Sequence, residues 1–154
     1  MKGYDYSSVA SYMLTFNTIN RAKILSEIIP GGMFAPPEVK LLPCGIIAEK
    51  YISMIEEHYP GVKVDSYVIM PDHVHLLVSI EKCFVTNNNT QSTVARIIHA
   101  VKALTTKEIG ETIWQLDFYD VIAETEEEFL KLDDYIYNNP ASWLDKEEQE
   151  PYIV

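Results

Sequence analysis

The stretch Tyr67-Val68-Ile69-Met70-Pro71-Asp72-His73-Val74-His75-Leu76-Leu77-Val78-Ser79-Ile80 reads as the end of one strand, a tight Pro-Asp turn, and a second strand. Side chains alternate faces along a strand. His73 and His75 therefore project to one side, while Val74, Leu76, Val78 and Ile80 form an unbroken apolar row on the other. Two adjacent imidazoles on a rigid strand can hold a divalent cation and leave positions open for substrate and water. A half-buried strand whose histidines simply face water has the same pattern, and a bare His-x-His does not separate the two.

The chain has 154 residues, 47% of them hydrophobic, which suits one globular domain with a real core. No apolar run approaches the roughly 20 residues needed to span a bilayer, and the N-terminus lacks a signal-peptide core, so a cytoplasmic protein is expected. Cys44 and Cys83 lack the short paired spacing of a zinc knuckle and are read as reduced and structural. Net charge is −11, which argues against non-specific binding to polyanions. The acid is concentrated in Glu124 and Glu126 to Glu128, and again in Asp145, Glu147, Glu148 and Glu150. With a Debye length of about 8 Å, a distant acidic rim is largely screened from a local site.

Residues 1–10 suggest a short arm, and Ser11 to Thr18 alternates as a first strand. Residues 19–42, broken by Pro30-Gly31-Gly32 and Pro36-Pro37, read as a long excursion. A helix over Cys44 to His58, with Ile47, Tyr51, Met54 and Ile55 as its apolar stripe, precedes the hairpin of Val62 to Met70 and His73 to Ile80. A second helix over Ser92 to Ile109 buries Val94, Ile97, Ile98, Val101 and Leu104 and turns Arg96, His99, Lys102 and Lys107 outward. A fourth strand lies around Phe118 to Ile122. Thr125 with Glu128 is a capping box that opens a third helix, expected to stop near Asn139 because Pro140 follows, leaving 141–154 as an acidic tail.

This order predicts an α+β fold, a ferredoxin-like split β-α-β with a four-stranded antiparallel sheet and two helices on one face. The imidazoles should then lie on the open face, where the last helix can cross. On that helix Phe129, Leu132 and Ile136 form the buried stripe; Tyr135 and Asn139, four apart, share one shoulder and Tyr137 takes the other. Tyr135 and Asn139 are thus candidates to meet the histidines. On periodicity alone, Tyr135 capping the core and Asn139 capping the helix end is the favoured reading.

Val68-Ile69-Met70-Pro71-Asp72-His73-Val74-His75-Leu76-Leu77 strongly resembles the His-hydrophobic-His signature of the single-tyrosine HUH transposases, particularly the REP-associated tyrosine transposases. Tyr12 to Thr18 with Asn20-Arg21, Lys102, Trp114-Gln115 with Phe118-Tyr119-Asp120, and Tyr135-Ile136-Tyr137-Asn138-Asn139-Pro140 resemble further parts of that family. The resemblance covers residues 11–143 and implies metal-dependent cleavage of single-stranded DNA near a hairpin. His73, His75 and Asn139 would hold Mg²⁺ or Mn²⁺, and Tyr135 would form a 5′-phosphotyrosine intermediate. DNA would be gripped by a small patch drawn from Arg21, Lys23, Arg96, Lys102 and Lys107. The family strand commonly reads Tyr-Asp-His followed by apolar residues and an arginine, whereas here Tyr119-Asp120 runs directly into Val121-Ile122-Ala123 and lacks both. The alternative is therefore a decayed or repurposed DNA-binding module of the same fold, and a third option is a metal hydrolase for a small phosphorylated substrate. The family includes dimers and monomers, so a homodimer is one expected state.

Overall fold

The computed structural model describes residues 8–85 and 89–149. In chain order it contains β1 (Val9–Asn17), β2 (Ser26–Ile29), β3 (Glu38–Leu41), α1 (Pro43–Ile52), α2 (Ile55–His58), β4 (Val62–Ile69), β5 (His73–Glu81), α3 (Thr90–Ile109), β6 (Tyr119–Ala123) and α4 (Glu126–Gln149). The main sheet has the order β4-β5-β1-β6, with every neighbouring pair antiparallel. This is the expected split β-α-β sheet.

Strand alternation builds two cores. Tyr12, Leu14 and Phe16 of β1 join Val74, Leu76, Val78 and Ile80 of β5, and this face meets Ala48 and Ile52 of α1 and Val94, Ile97, Ile98 and Val101 of α3. The opposite face presents Met13, Val68 and Leu77, on which α4 lays Phe129 and Ile136. Two helices cover one side and α4 the other, so the side of the sheet that carries His73 and His75 is roofed by the last helix. Among the described residues no helix is long and apolar enough to cross a membrane.

Several local expectations change. The first strand starts at Val9, so the end of the expected arm is paired backbone; residues 1–7 lie outside the described residues. The 19–42 excursion contains the antiparallel ribbon β2-β3, with Ser26 opposite Leu41 and Ile29 opposite Glu38. Its strands are four residues each, too short for a clear period between the Pro-Gly breaks, and they persist because Ile28 and Val39 pack against the second core. The first helix breaks at Ser53-Met54 into α1 and α2, and buries Gly45, Ala48, Ile52 and Ile55 rather than the stripe with Ile47, Tyr51 and Met54. Leu104, expected inside, is 41% exposed.

The largest change is at the C-terminal end. The capping box forms: the Glu128 amide donates to Thr125 Oγ1 at 3.1 Å, and the Glu128 carboxylate accepts from the Glu124 amide at 2.7 Å. The helix then runs through Pro140 to Gln149 instead of ending at Asn139. A proline inside a helix forfeits one backbone bond and costs about 3 kcal/mol. Packing Trp143 against the second core two turns beyond Tyr135 helps to offset that loss. The expected acidic tail is therefore helical as far as Gln149.

Gly45 lets the start of α1 close on the preceding chain, since a Cβ there would overlap the Leu25 carbonyl oxygen, which also accepts from the Leu42 amide. Helix propensity alone would make Gly45→Ala stabilising by about 1 kcal/mol. The overlap predicts the opposite sign, a net loss of roughly 1–3 kcal/mol in denaturant melts. A gain in stability would contradict this packing.

Candidate active site

The register of β1 against β5 sets Asn17 opposite His73 and Thr15 opposite His75. All four side chains face α4, and both imidazoles are buried, at 8% and 5% exposure. Their rings meet edge to face with centroids 4.7 Å apart. The polar alternation Thr15-x-Asn17, on the face opposite Leu14 and Phe16, is the sequence signal that could have found these partners.

Each imidazole is held through Nδ1. His73 Nδ1 donates to Asp72 Oδ1 at 2.6 Å, and His75 Nδ1 lies 2.7 Å from Thr15 Oγ1. A ring held at Nδ1 is oriented with Nε2 turned away from that partner. Asn139 lies beside the His73 ring in the same cleft. Burial lowers the proton affinity of His73, a shift that the bond to Asp72 and the neighbouring Asn139 partly oppose. Burial, with the charge of His73 and Arg21 behind it, pushes His75 down to about 3. At neutral pH both rings offer lone pairs.

Asp72, in the turn between β4 and β5, is the hinge of this arrangement. Burial raises its carboxyl, but donors from Arg21 and His73 outweigh that and hold it below the usual carboxylate range. Arg21 Nε donates to Asp72 Oδ2 at 3.0 Å, and its Nη2 is 3.5 Å from His73 Nδ1. Arg21 reaches there from a left-handed backbone, φ +53°, directly after Asn20 at φ +56°. Two consecutive non-glycine residues in that region are uncommon and store strain beside the site. Thr18 ties this loop to the turn through its amide and its hydroxyl, both of which donate to the Asp72 carbonyl.

From the other side α4 brings Tyr135, whose ring meets the His75 ring edge-on with centroids 5.3 Å apart. Tyr135 is 51% exposed, so its phenol is open to solvent, and Asn139 one turn on is buried. Tyr137, 74% exposed, faces away among Glu127, Leu130, Lys131, Asp133 and Asp134. Tyr135, Asn139 and the two histidines border one open cleft of about 560 Å³, which Arg21, Tyr119, Ser142, Trp143 and Lys146 also line. The sequence signals do not single out Asp72, Thr15, Asn17 and Tyr119 as partners, and Ser142, Trp143 and Lys146 escape because Pro140 predicts a helix that ends before them.

The five expected DNA contacts divide. Arg21 lines the cleft, and Lys23 stands at its edge, 5.6 Å above the Trp143 ring. Arg96, Lys102 and Lys107 lie on α3, across the sheet from the cleft. Arg96 sits over the Tyr59 ring, and Lys107 is on the last turn. Lys102 Nζ donates to the carbonyls of Gln115, Leu116 and Asp117 at 2.8, 3.3 and 3.0 Å, so its charge is used to shape the loop before β6. Of the five, only Arg21 and Lys23 are at the cleft.

Among the described residues no cluster of three or more His, Cys, Asp or Glu side chains is arranged to hold a metal. The donors here are two neutral imidazoles and a carboxamide. That set fits a divalent cation that completes its shell with water and substrate oxygens.

The low proton affinity of His75 has a stability consequence. In the unfolded chain the ring protonates near 6.5, whereas in the fold it resists until about 3. Metal-free protein therefore loses stability as pH falls from about 6.5 toward 3, and above 6.5 this contribution is constant. His75→Gln should flatten that slope in melts recorded with a chelator. An unchanged slope would contradict the burial argument.

A family model described as "Transposase IS200 like" matches residues 7–139. A protein of Haemophilus influenzae (strain ATCC 51907 / DSM 11121 / KW20 / Rd), described as uncharacterised, is 27% identical over 173 aligned positions, covering 99% of this chain and 91% of that protein. The solved REP-associated tyrosine transposase bound to a REP hairpin superposes with a TM-score of 0.62 at 19% identity, over 92% of this chain and 74% of that one. A candidate transposase from Deinococcus radiodurans R1 superposes with a TM-score of 0.51 at 17% identity, over 90% and 95%. At such identities the two structures establish the shared fold. The family match spans the paired histidines, the turn aspartate and the tyrosine helix up to Asn139, and on that ground the chain belongs to the IS200-like transposase family.

Proposed function

We propose that the protein is a metal-dependent single-stranded DNA endonuclease and strand transferase, acting at hairpin-associated sites through a 5′-phosphotyrosine on Tyr135. The observation that carries this reading is the Tyr135 phenol against His75, one helical turn from the buried Asn139, with His73 bordering the same open cleft. Support for the substrate class comes from the REP hairpin bound to a transposase of the same fold.

In this reading Tyr135 Oη bonds phosphorus while the P–O3′ bond breaks. The phenolic proton passes to solvent, which the half-exposed ring meets, and the departing 3′ oxygen takes up a proton. One phosphoester replaces another, so a different 3′-hydroxyl can reverse the step and join strands. Phenol, with a pKa near 10, leaves far more readily than a serine alkoxide. His73, His75 and Asn139 would hold Mg²⁺ or Mn²⁺, which when bound supplies Lewis acidity toward the scissile phosphate. Arg21, braced by Asp72, and Lys23 would meet neighbouring phosphates. The DNA path then follows the mouth of the cleft, away from α3 and its three cations.

A second reading, a DNA-binding module that no longer cuts, draws on β6. Its Tyr119-Asp120 is followed by the exposed Val121 and Ile122 and lacks the histidine and the arginine that the resemblance leads one to expect, in a chain of net charge −11.

Incubation with hairpin-bearing oligonucleotides and Mn²⁺ should give a protein–DNA adduct that survives boiling in detergent. Tyr135→Phe should abolish it, and Tyr137→Phe should retain it within about twofold, since that ring lies outside the cleft. Salt-dependent hairpin binding without any adduct would favour the second reading. An adduct that depends on Tyr137 would overturn the assignment of the nucleophile.

A further inference from the structure

We propose that Trp143, flanked by Lys23 and Lys146, is a stacking subsite for the nucleobase next to the phosphate that Tyr135 attacks, an inference that rests on the DNA-cleaving reading above. Tyr135, Asn139, Trp143 and Lys146 follow one another at four-, four- and three-residue steps, so the uninterrupted α4 carries them as a single stripe along the cleft. The continuation through Pro140 is what adds the last two to the site. Trp143 and Lys146 lie beyond the 7–139 segment matched by the family model.

Trp143 is placed to receive a base. It packs against the second core, which steadies the indole, and its remaining surface lines the cleft. Its ring lies 6.3 Å from the His73 ring at 42°, so it adjoins the imidazole pair without stacking flat on it. Lys23 Nζ sits 5.6 Å over the indole and 3.8 Å from Glu147. That ion pair is largely exposed and correspondingly weak, so an incoming phosphate can take Lys23 from Glu147 at little loss. An aromatic platform edged by cations is the arrangement that holds single-stranded DNA, because every base has a face to stack and the adjoining phosphates need neutralising. It also answers the acidic balance of the chain: binding here draws on stacking as well as on charge.

The protein contains a built-in reporter. Its other tryptophan, Trp114, is buried and donates to Thr105 Oγ1 at 2.6 Å, so only Trp143 can respond to a base in the cleft. In Tyr135→Phe protein, which keeps the strand intact, titration with an oligothymidylate at low ionic strength should quench tryptophan fluorescence to a plateau. An abasic strand of the same length, which keeps the phosphates and lacks the bases, should bind more weakly and leave the fluorescence unquenched. Adding Trp143→Phe should remove the quench yet keep affinity within about threefold, and Trp143→Ala should weaken binding about tenfold. The far-ultraviolet dichroism of both variants should match the parent. A quench that persists in Trp143→Phe, or affinity unchanged in Trp143→Ala, overturns the subsite; if the Tyr135-dependent adduct still forms, the cleavage reading survives. Failure of the wild-type chain both to bind oligothymidylate and to form an adduct overturns the two together.

Discussion

The antiparallel pairing of β1 with β5 is the constraint on which the rest depends. It sets Thr15 beside His75 and Asn17 beside His73 while Leu14 and Phe16 join the apolar row of β5 on the opposite face. Because side chains alternate with a period of two, a slip of one residue would drive both imidazoles into the core and turn that row toward the cleft. Burial of Leu14, Phe16, Val74 and Leu76, all fully enclosed, therefore holds the register that aims the imidazoles. Packing energy on one face of the sheet maintains chemistry on the other.

The second requirement is that α4 meet this face with the right shoulder. The stripe of Phe129 and Ile136 seats the helix, and the rotation this imposes turns Tyr135 and Asn139 to the histidines and Tyr137 to solvent. Asp72 locks the sheet side of the site, since one buried carboxylate orients His73 and restrains Arg21 in a left-handed backbone. Charge is local as well. The net −11 of the chain sits largely on exposed faces, including the first turn of α4, while the cleft itself collects Arg21, Lys23 and Lys146.

Most of the sheet could be read from the chain because alternation is strong in β1 and β5 and the Pro-Asp turn allows one hairpin. The shared shoulder of Tyr135 and Asn139 was legible for a similar reason, being a matter of helical spacing. What stayed hidden depends on contacts between distant residues. The β2-β3 ribbon is too short to show a period and survives by packing Ile28 and Val39 on a core built elsewhere. Pro140 is a valid stop signal locally, and the tertiary packing that carries α4 beyond it, of which Trp143 against the second core is one part, does not show in that dipeptide. Lys102 looked like a phosphate contact because nothing in its own helix reveals the three carbonyls, thirteen to fifteen residues on, that it binds.

The central claim is that two imidazoles, a carboxamide and one phenol, brought from β5 and α4, surround a single cation position. Paramagnetic Mn²⁺ broadens nearby nuclei steeply with distance, so its addition to protein labelled in the histidine and tyrosine rings reads that convergence directly. The account predicts that His73, His75 and Tyr135 broaden together at substoichiometric Mn²⁺ while Tyr137, only two residues on, stays sharp. Broadening that begins instead at Tyr137, beside the carboxylates of Asp133 and Asp134, or that spares the two histidines, would contradict it.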